Sequence, residues 1–133
     1  MTSPVNFSEG SYLAFHGLAL IAQKAPERLS IKSLAKELHA SEAHLAKVFQ
    51  KLGKASFVNS VRGPAGGFVL AKKPEDISFL DIYEVMEGKA GSGFCPFGKE
   101  VCVFKTCIFK IGLGKHALDI LDSFKKMTLV TLL

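Results

Sequence analysis

Three cysteines, Cys95, Cys102 and Cys107, stand in one short stretch, separated by six and four residues. Thiolates are soft ligands, and three of them crowded into a loop suit iron in an iron–sulfur cluster, with a fourth ligand drawn from elsewhere. The spacing fits zinc poorly, because structural zinc sites are built from closer cysteine pairs and four ligands. The chain has no C-x-x-C redox pair. The same spacing also describes three unligated thiols open to oxidants. A second group of residues offers different chemistry. His44, Lys47 and Lys51 recur at i, i+3 and i+7 behind Ser41, a good N-cap. Such a stripe presents donors to phosphates and base edges in the major groove of DNA, which admits one helix. It equally describes a solvated lysine face. Further on, Arg62-Gly63-Pro64-Ala65-Gly66-Gly67 joins two strand-like segments, 57–61 and 68–70, and the glycines supply the positive φ that such a loop requires.

These residues need elements to hold them. Residues 8–24 form a helical pattern that is apolar nearly all round (Leu13, Phe15, Leu18, Leu20, Ile21), which predicts a central, buried helix ended by Pro26. Ile31, Leu34, Ala35 and Leu38 give a short amphipathic helix behind Ser30. After a break at His39-Ala40, Leu45, Val48, Phe49 and Leu52 form the inner face of a helix over 41–54, with Glu42 in its first turn and Gly53 near its end. Two short helices with this break are a helix-turn-helix pattern, and the basic hairpin that follows is a wing able to reach the minor groove or backbone. Ser78-Phe-Leu-Asp81 resembles a capping box and starts a helix through Leu80, Tyr83 and Met86, stopped by Gly88. A Gly-rich loop over 88–93 follows. Residues 108–126 then show a stripe of Leu113, Ala117, Ile120 and Phe124, with Leu118 and Leu121 beside it. That stripe is wider than a small winged domain can cover, which points to a helical dimer interface. The expected fold is mainly α with a small β-hairpin: a winged helix-turn-helix domain over 1–88, a cysteine loop over 89–107, and a long C-terminal dimerisation helix with its tail over 108–133.

Composition narrows the classes. With 133 residues, 48% of them hydrophobic, the chain can bury one ordinary core. A mean hydropathy of +0.26 and 11 Phe argue against disorder, and three crowded cysteines argue against a disulfide-stapled scaffold. The longest apolar run, 12–22, contains His16 and is too short for a membrane span. No Lys or Arg precedes Lys24, so the start lacks the basic opening of a signal peptide, and a cytoplasmic, reducing compartment is expected. The net charge of +5 is unevenly spread. Residues 1–74 carry ten basic and four acidic side chains, whereas 75–133 carry seven and eight. A local basic surplus attracts polyanions. Gly112-Leu-Gly114-Lys115 imitates the end of a phosphate loop but lacks its earlier glycine and following hydroxyl residue, so an enzyme is not expected.

The segment from Ser41 to Leu52, the wing Val61-Arg-Gly-Pro-Ala-Gly-Gly-Phe-Val-Leu, the stretch Pro74-Glu-Asp-Ile-Ser and the Glu87-Gly88 stop together resemble the IscR/NsrR-type (Rrf family) winged-helix transcription regulators. The resemblance runs over nearly the whole chain. It implies a homodimer joined through the long C-terminal helix, with no membrane partner, each winged unit reading half of a near-palindromic double-stranded DNA operator. It also implies that Ser41, His44, Lys47, Lys51, Arg62, Gly63, Pro64, Gly66 and Gly67 face DNA. Cys95, Cys102 and Cys107 would then hold an iron–sulfur cluster, 2Fe–2S in preference to 4Fe–4S, that tunes DNA affinity in response to redox, nitric oxide or iron–sulfur status. A clusterless thiol switch or a protein-docking module of the same fold is the alternative. Some relatives place a His after the third cysteine where this chain has Lys110, and others use an acidic residue on the first helix where it has Tyr12. Glu9 and His16 share a helical stripe with Tyr12, which makes them the candidates for the fourth ligand.

Overall fold

The first four helices each begin where a serine can accept an orphan N–H group of the first turn. In the computed structural model, which describes residues 7–89, 103–107 and 112–133, α1 (Glu9–Lys24) opens with the Ser8 side chain accepting from the Ser11 N–H at 3.1 Å. α2 (Ile31–Leu38) opens on Ser30, and α3 (Glu42–Lys54) on Ser41. Only His39 to Ser41 separates α2 from α3, and His39 makes the turn at φ 51°. These caps and this turn are the helix-turn-helix that the spacing predicts.

The core is built around α1, as its all-round apolar pattern requires. Leu13, Ala14, Leu18 and Ile21 of α1 meet Leu34 and Ala35 of α2 and Leu45, Val48, Phe49 and Leu52 of α3, all buried. Gly17 lets α1 and α3 approach closely, since a Cβ there would lie 2.8 Å from the Phe49 ring. After α3 the chain forms the antiparallel hairpin β1 (Val58–Val61) and β2 (Gly67–Leu70), in register Val58↔Leu70 to Val61↔Gly67. Leu29 adds a second pairing, exchanging backbone hydrogen bonds with Phe68 at 2.8 and 3.2 Å.

A short 3₁₀ turn, Pro74–Asp76, leads to α4 (Phe79–Glu87), and the expected capping box of Ser78 and Asp81 is present. α5 (Gly114–Lys126) packs on the rest through Phe124, whose ring lies 5.8 to 6.3 Å from those of Phe7, Phe15, Phe79 and Tyr83. The start of the expected helix at 108 falls outside the described residues. Leu113, Leu118 and Ile120 stay exposed. The tail contributes to the core of the winged unit. Leu129 is fully buried and donates its N–H to the Ile77 carbonyl, while Phe79 donates to Met127. Among the described residues no helix is long and apolar enough to cross a membrane.

Candidate nucleic-acid interface and thiol site

The outer face of α3 carries exposed Lys47 and Lys51, with partly buried His44 one turn before Lys47. Ser41 is exposed at the cap, and its side chain accepts from the His44 N–H at 3.3 Å. His44 does not stand free. Its Nδ1 lies 3.5 Å from Oε2 of Glu9, at the first position of α1. The structure thereby joins a residue expected at the DNA to one expected at a metal, and no helical periodicity announces such a pair because the two sit on different helices.

Lys51 lies in the field of Glu87, at the end of α4. Glu87 in turn ties α4 to the start of α1. Its Oε1 accepts from the hydroxyls of Ser8 and Ser11 and from the Ser8 N–H at 3.3 Å. The hydroxyl of Ser11, then that of Ser8, and more weakly the backbone of Ser8 and the charge of Lys51 hold its carboxyl below the usual carboxylate range. These three contacts span 76 to 79 residues of chain and were not visible in the local pattern.

In the wing, Arg62, Gly63 and Pro64 are exposed at the tip. Gly63 takes φ 111°, and the turn closes through a bond from the Gly66 N–H to the Gly63 carbonyl at 2.9 Å. Gly66 and Gly67 have an internal reason for their identity. A Cβ on Gly66 would lie 2.3 Å from the Val61 carbonyl oxygen, and one on Gly67 would lie 2.8 Å from the Leu29 backbone. They shape the wing whatever else they touch. At its root, the Lys72 ammonium sits 4.7 Å from the centre of the Phe57 ring, a cation–π contact that holds one more positive charge in place.

Of the three thiols, Cys107 is a free, partly buried cysteine; Cys95 and Cys102 lie outside the described residues, as does Lys110. Among the described residues no group of three or more His, Cys, Asp or Glu is placed to hold a metal. The two proposed fourth ligands differ. Glu9 is engaged with His44. His16 is exposed, stacks on Tyr12 at 4.0 Å between ring centres, and donates from Nδ1 to the Tyr12 carbonyl at 2.8 Å. A carbonyl only accepts, so Nδ1 carries a proton, and Nε2 is the nitrogen a metal could take, the arrangement usual for a ligating histidine.

Comparison with known proteins gives one consistent answer. The Rrf2 family, described as an iron-dependent transcriptional regulator, matches residues 7–133. The HTH-type transcriptional regulator NsrR of Bacillus subtilis is 32% identical over 112 residues, 83% of this chain and 77% of that one. Some other curated relatives are matched over about half of their own length. Among solved structures, T. potens IscR superposes with TM-score 0.76 at 29% identity, covering 96% of this chain and 85% of that one. CymR, the global cysteine regulator of B. subtilis, superposes with TM-score 0.76 at 26% identity, covering 96% and 95%.

Proposed function

The chain belongs to the Rrf2 family of transcriptional regulators, and from that premise we propose that it is a homodimer whose affinity for a near-palindromic operator is set by an iron–sulfur cluster. It is a regulator and not an enzyme. The observation that carries the DNA reading is the capped, lysine-bearing α3 followed directly by a basic wing. α3 enters the major groove with Ser41 and Lys47 toward the duplex, His44 and Lys51 at the edge nearer α1, and the wing tip of Arg62, Gly63 and Pro64 on the minor groove or backbone. Gly66 and Gly67 hold that tip in shape.

The donor set fits a cluster. Cys95, Cys102 and Cys107 supply three thiolates from one stretch, and His16 offers Nε2 while its Nδ1 is held by Tyr12. His16 or Glu9, from the partner subunit, completes the set. Bound there, a cluster of the 2Fe–2S type supplies a centre that oxidants, nitric oxide or iron–sulfur supply can alter. The exposed Leu113, Leu118 and Ile120 of α5 supply the surface on which two copies meet. The likeness to CymR favours a second reading, in which Cys107 and its neighbours act as a thiol switch without iron.

Iron and sulfide content per chain, with the visible spectrum of protein isolated without oxygen, decides between them. Visible absorption with matching iron and sulfide is expected, lost in Cys107→Ser. Colourless protein that also fails to take up iron and sulfide on reconstitution rejects the cluster and leaves the thiol switch. For a sensor, DNA affinity at fixed salt must differ between the cluster-bound and cluster-free forms.

A further inference from the structure

The duplex-facing side of α3 is set by where its core side lies. Leu45, Val48, Phe49 and Leu52 are buried. At about 100° per residue, the direction opposite them passes between Lys47 and Gln50, so Gln50 stands nearer the middle of the outer face than His44. The His44 edge is also acidic, with Glu9 against His44 and Glu87 near Lys51, and carboxylates repel phosphate. The opposite edge opens into a groove of ≈ 420 Å³ between α3 and β1. Ala46, Gln50, Gly53 and Lys54 line one wall, Asn59 and Ser60 the other, and no carboxylate is among the lining residues. β1 runs on into the wing tip at Arg62. A duplex touched by both α3 and the wing can therefore lie along this groove.

We propose that the groove between α3 and β1 seats one strand of the duplex and that Gln50 reads a base edge from it, an inference that rests on the DNA-binding reading above. Ala46 and Gly53 present almost no side chain, so the helix can come close on either side of Gln50. The Gln50 amide carries a donor and an acceptor side by side, which match N7 and the N6 amino group of adenine in the major groove. Lys54, Asn59 and Ser60 offer donors to phosphate oxygens, which position the protein without reading sequence.

The test is selection by the full chain from a pool of duplexes with a randomised core, carried out with wild type, Gln50→Ala and Gln50→Glu. Because Gln50 is exposed, both variants keep the fold, and circular dichroism checks this. The wild type is expected to enrich a motif with an A·T pair that Gln50→Ala no longer specifies. Gln50→Glu, which keeps only acceptors, should shift that position toward cytosine. On the selected duplex Gln50→Ala should bind about 5- to 150-fold more weakly with unchanged salt dependence, whereas Lys54→Ala should weaken all duplexes and lower the salt slope by about 1. Identical motifs and affinities for wild type and both Gln50 variants overturn the inference while leaving DNA binding intact. A wild type that enriches no motif and binds independently of salt overturns the DNA-binding reading itself, and this inference with it.

Discussion

Glu87 shows at the residue scale how one carboxylate can hold two helices together. Its acceptor Oε1 faces the hydroxyls of Ser8 and Ser11 at the positive end of the α1 dipole, and Ser11 is fully buried. Its folded pKa is depressed, chiefly by those two hydroxyls. A depressed carboxylate contributes stability that is present above its unfolded pKa and lost as pH falls through the folded value. Glu87→Gln should therefore lower the thermal midpoint at neutral pH. The gap to wild type should begin to close below about pH 4.3 and vanish in stronger acid. Thermal unfolding followed across pH checks this, and a gap independent of pH would show that the contact does not depend on the charge. The sequence places a helix start near residue 8 and a helix stop at Glu87-Gly88, each from local signals. That the two ends meet is a fact about the packing of α1 against α4.

At the element scale, the contact between α1 and α3 depends on a missing side chain. Gly17 is buried opposite the rim of the Phe49 ring, and Phe49 is itself wedged 4.9 Å from the Phe68 ring. Gly17→Ala gains about 1 kcal/mol of helix propensity but overpacks a closed core at a cost of about 1–3 kcal/mol. The expected net is a loss of about 1 kcal/mol in urea unfolding. DNA affinity should fall more than stability alone implies, because α3 has to move. Unchanged or increased stability would mean that Phe49 has room to rotate. Helix boundaries were the legible part of these elements: Ser30, Ser41 and Ser78 all cap as their positions suggest, since a cap involves only the next three residues. The bridge at Leu29 was not legible, because no alternating run surrounds it and Phe68 lies far along the chain.

At the scale of the whole molecule, the chain closes on itself. Leu129 shares a core with Leu13, Ile77 and Ile82, so the end of the sequence helps hold the unit that begins it. Leu129→Ala should destabilise the winged unit by about 2–5 kcal/mol, because a fully buried leucine leaves a cavity. Hydrogen exchange should show the loss in α1 and α4 as well as in the tail; loss confined to 127–133 would make the tail an independent appendage. The charge is asymmetric on the same scale, with the basic surplus confined to residues 1–74.

What the sequence determined by itself was whatever depends on near neighbours. The helix-turn-helix, the wing, the capping box and the three crowded thiols follow from spacing, caps and glycines within a few residues of one another. The tertiary structure alone decided which of these faces point the same way. The rotation of α3 about its axis follows from how Leu45, Val48, Phe49 and Leu52 seat against α1. That rotation turns His44 toward Glu9 and opens Gln50 to the groove beside the wing. A periodic stripe shows that a helix has an outer face; only packing against the other elements sets which part of that face stays open to a partner.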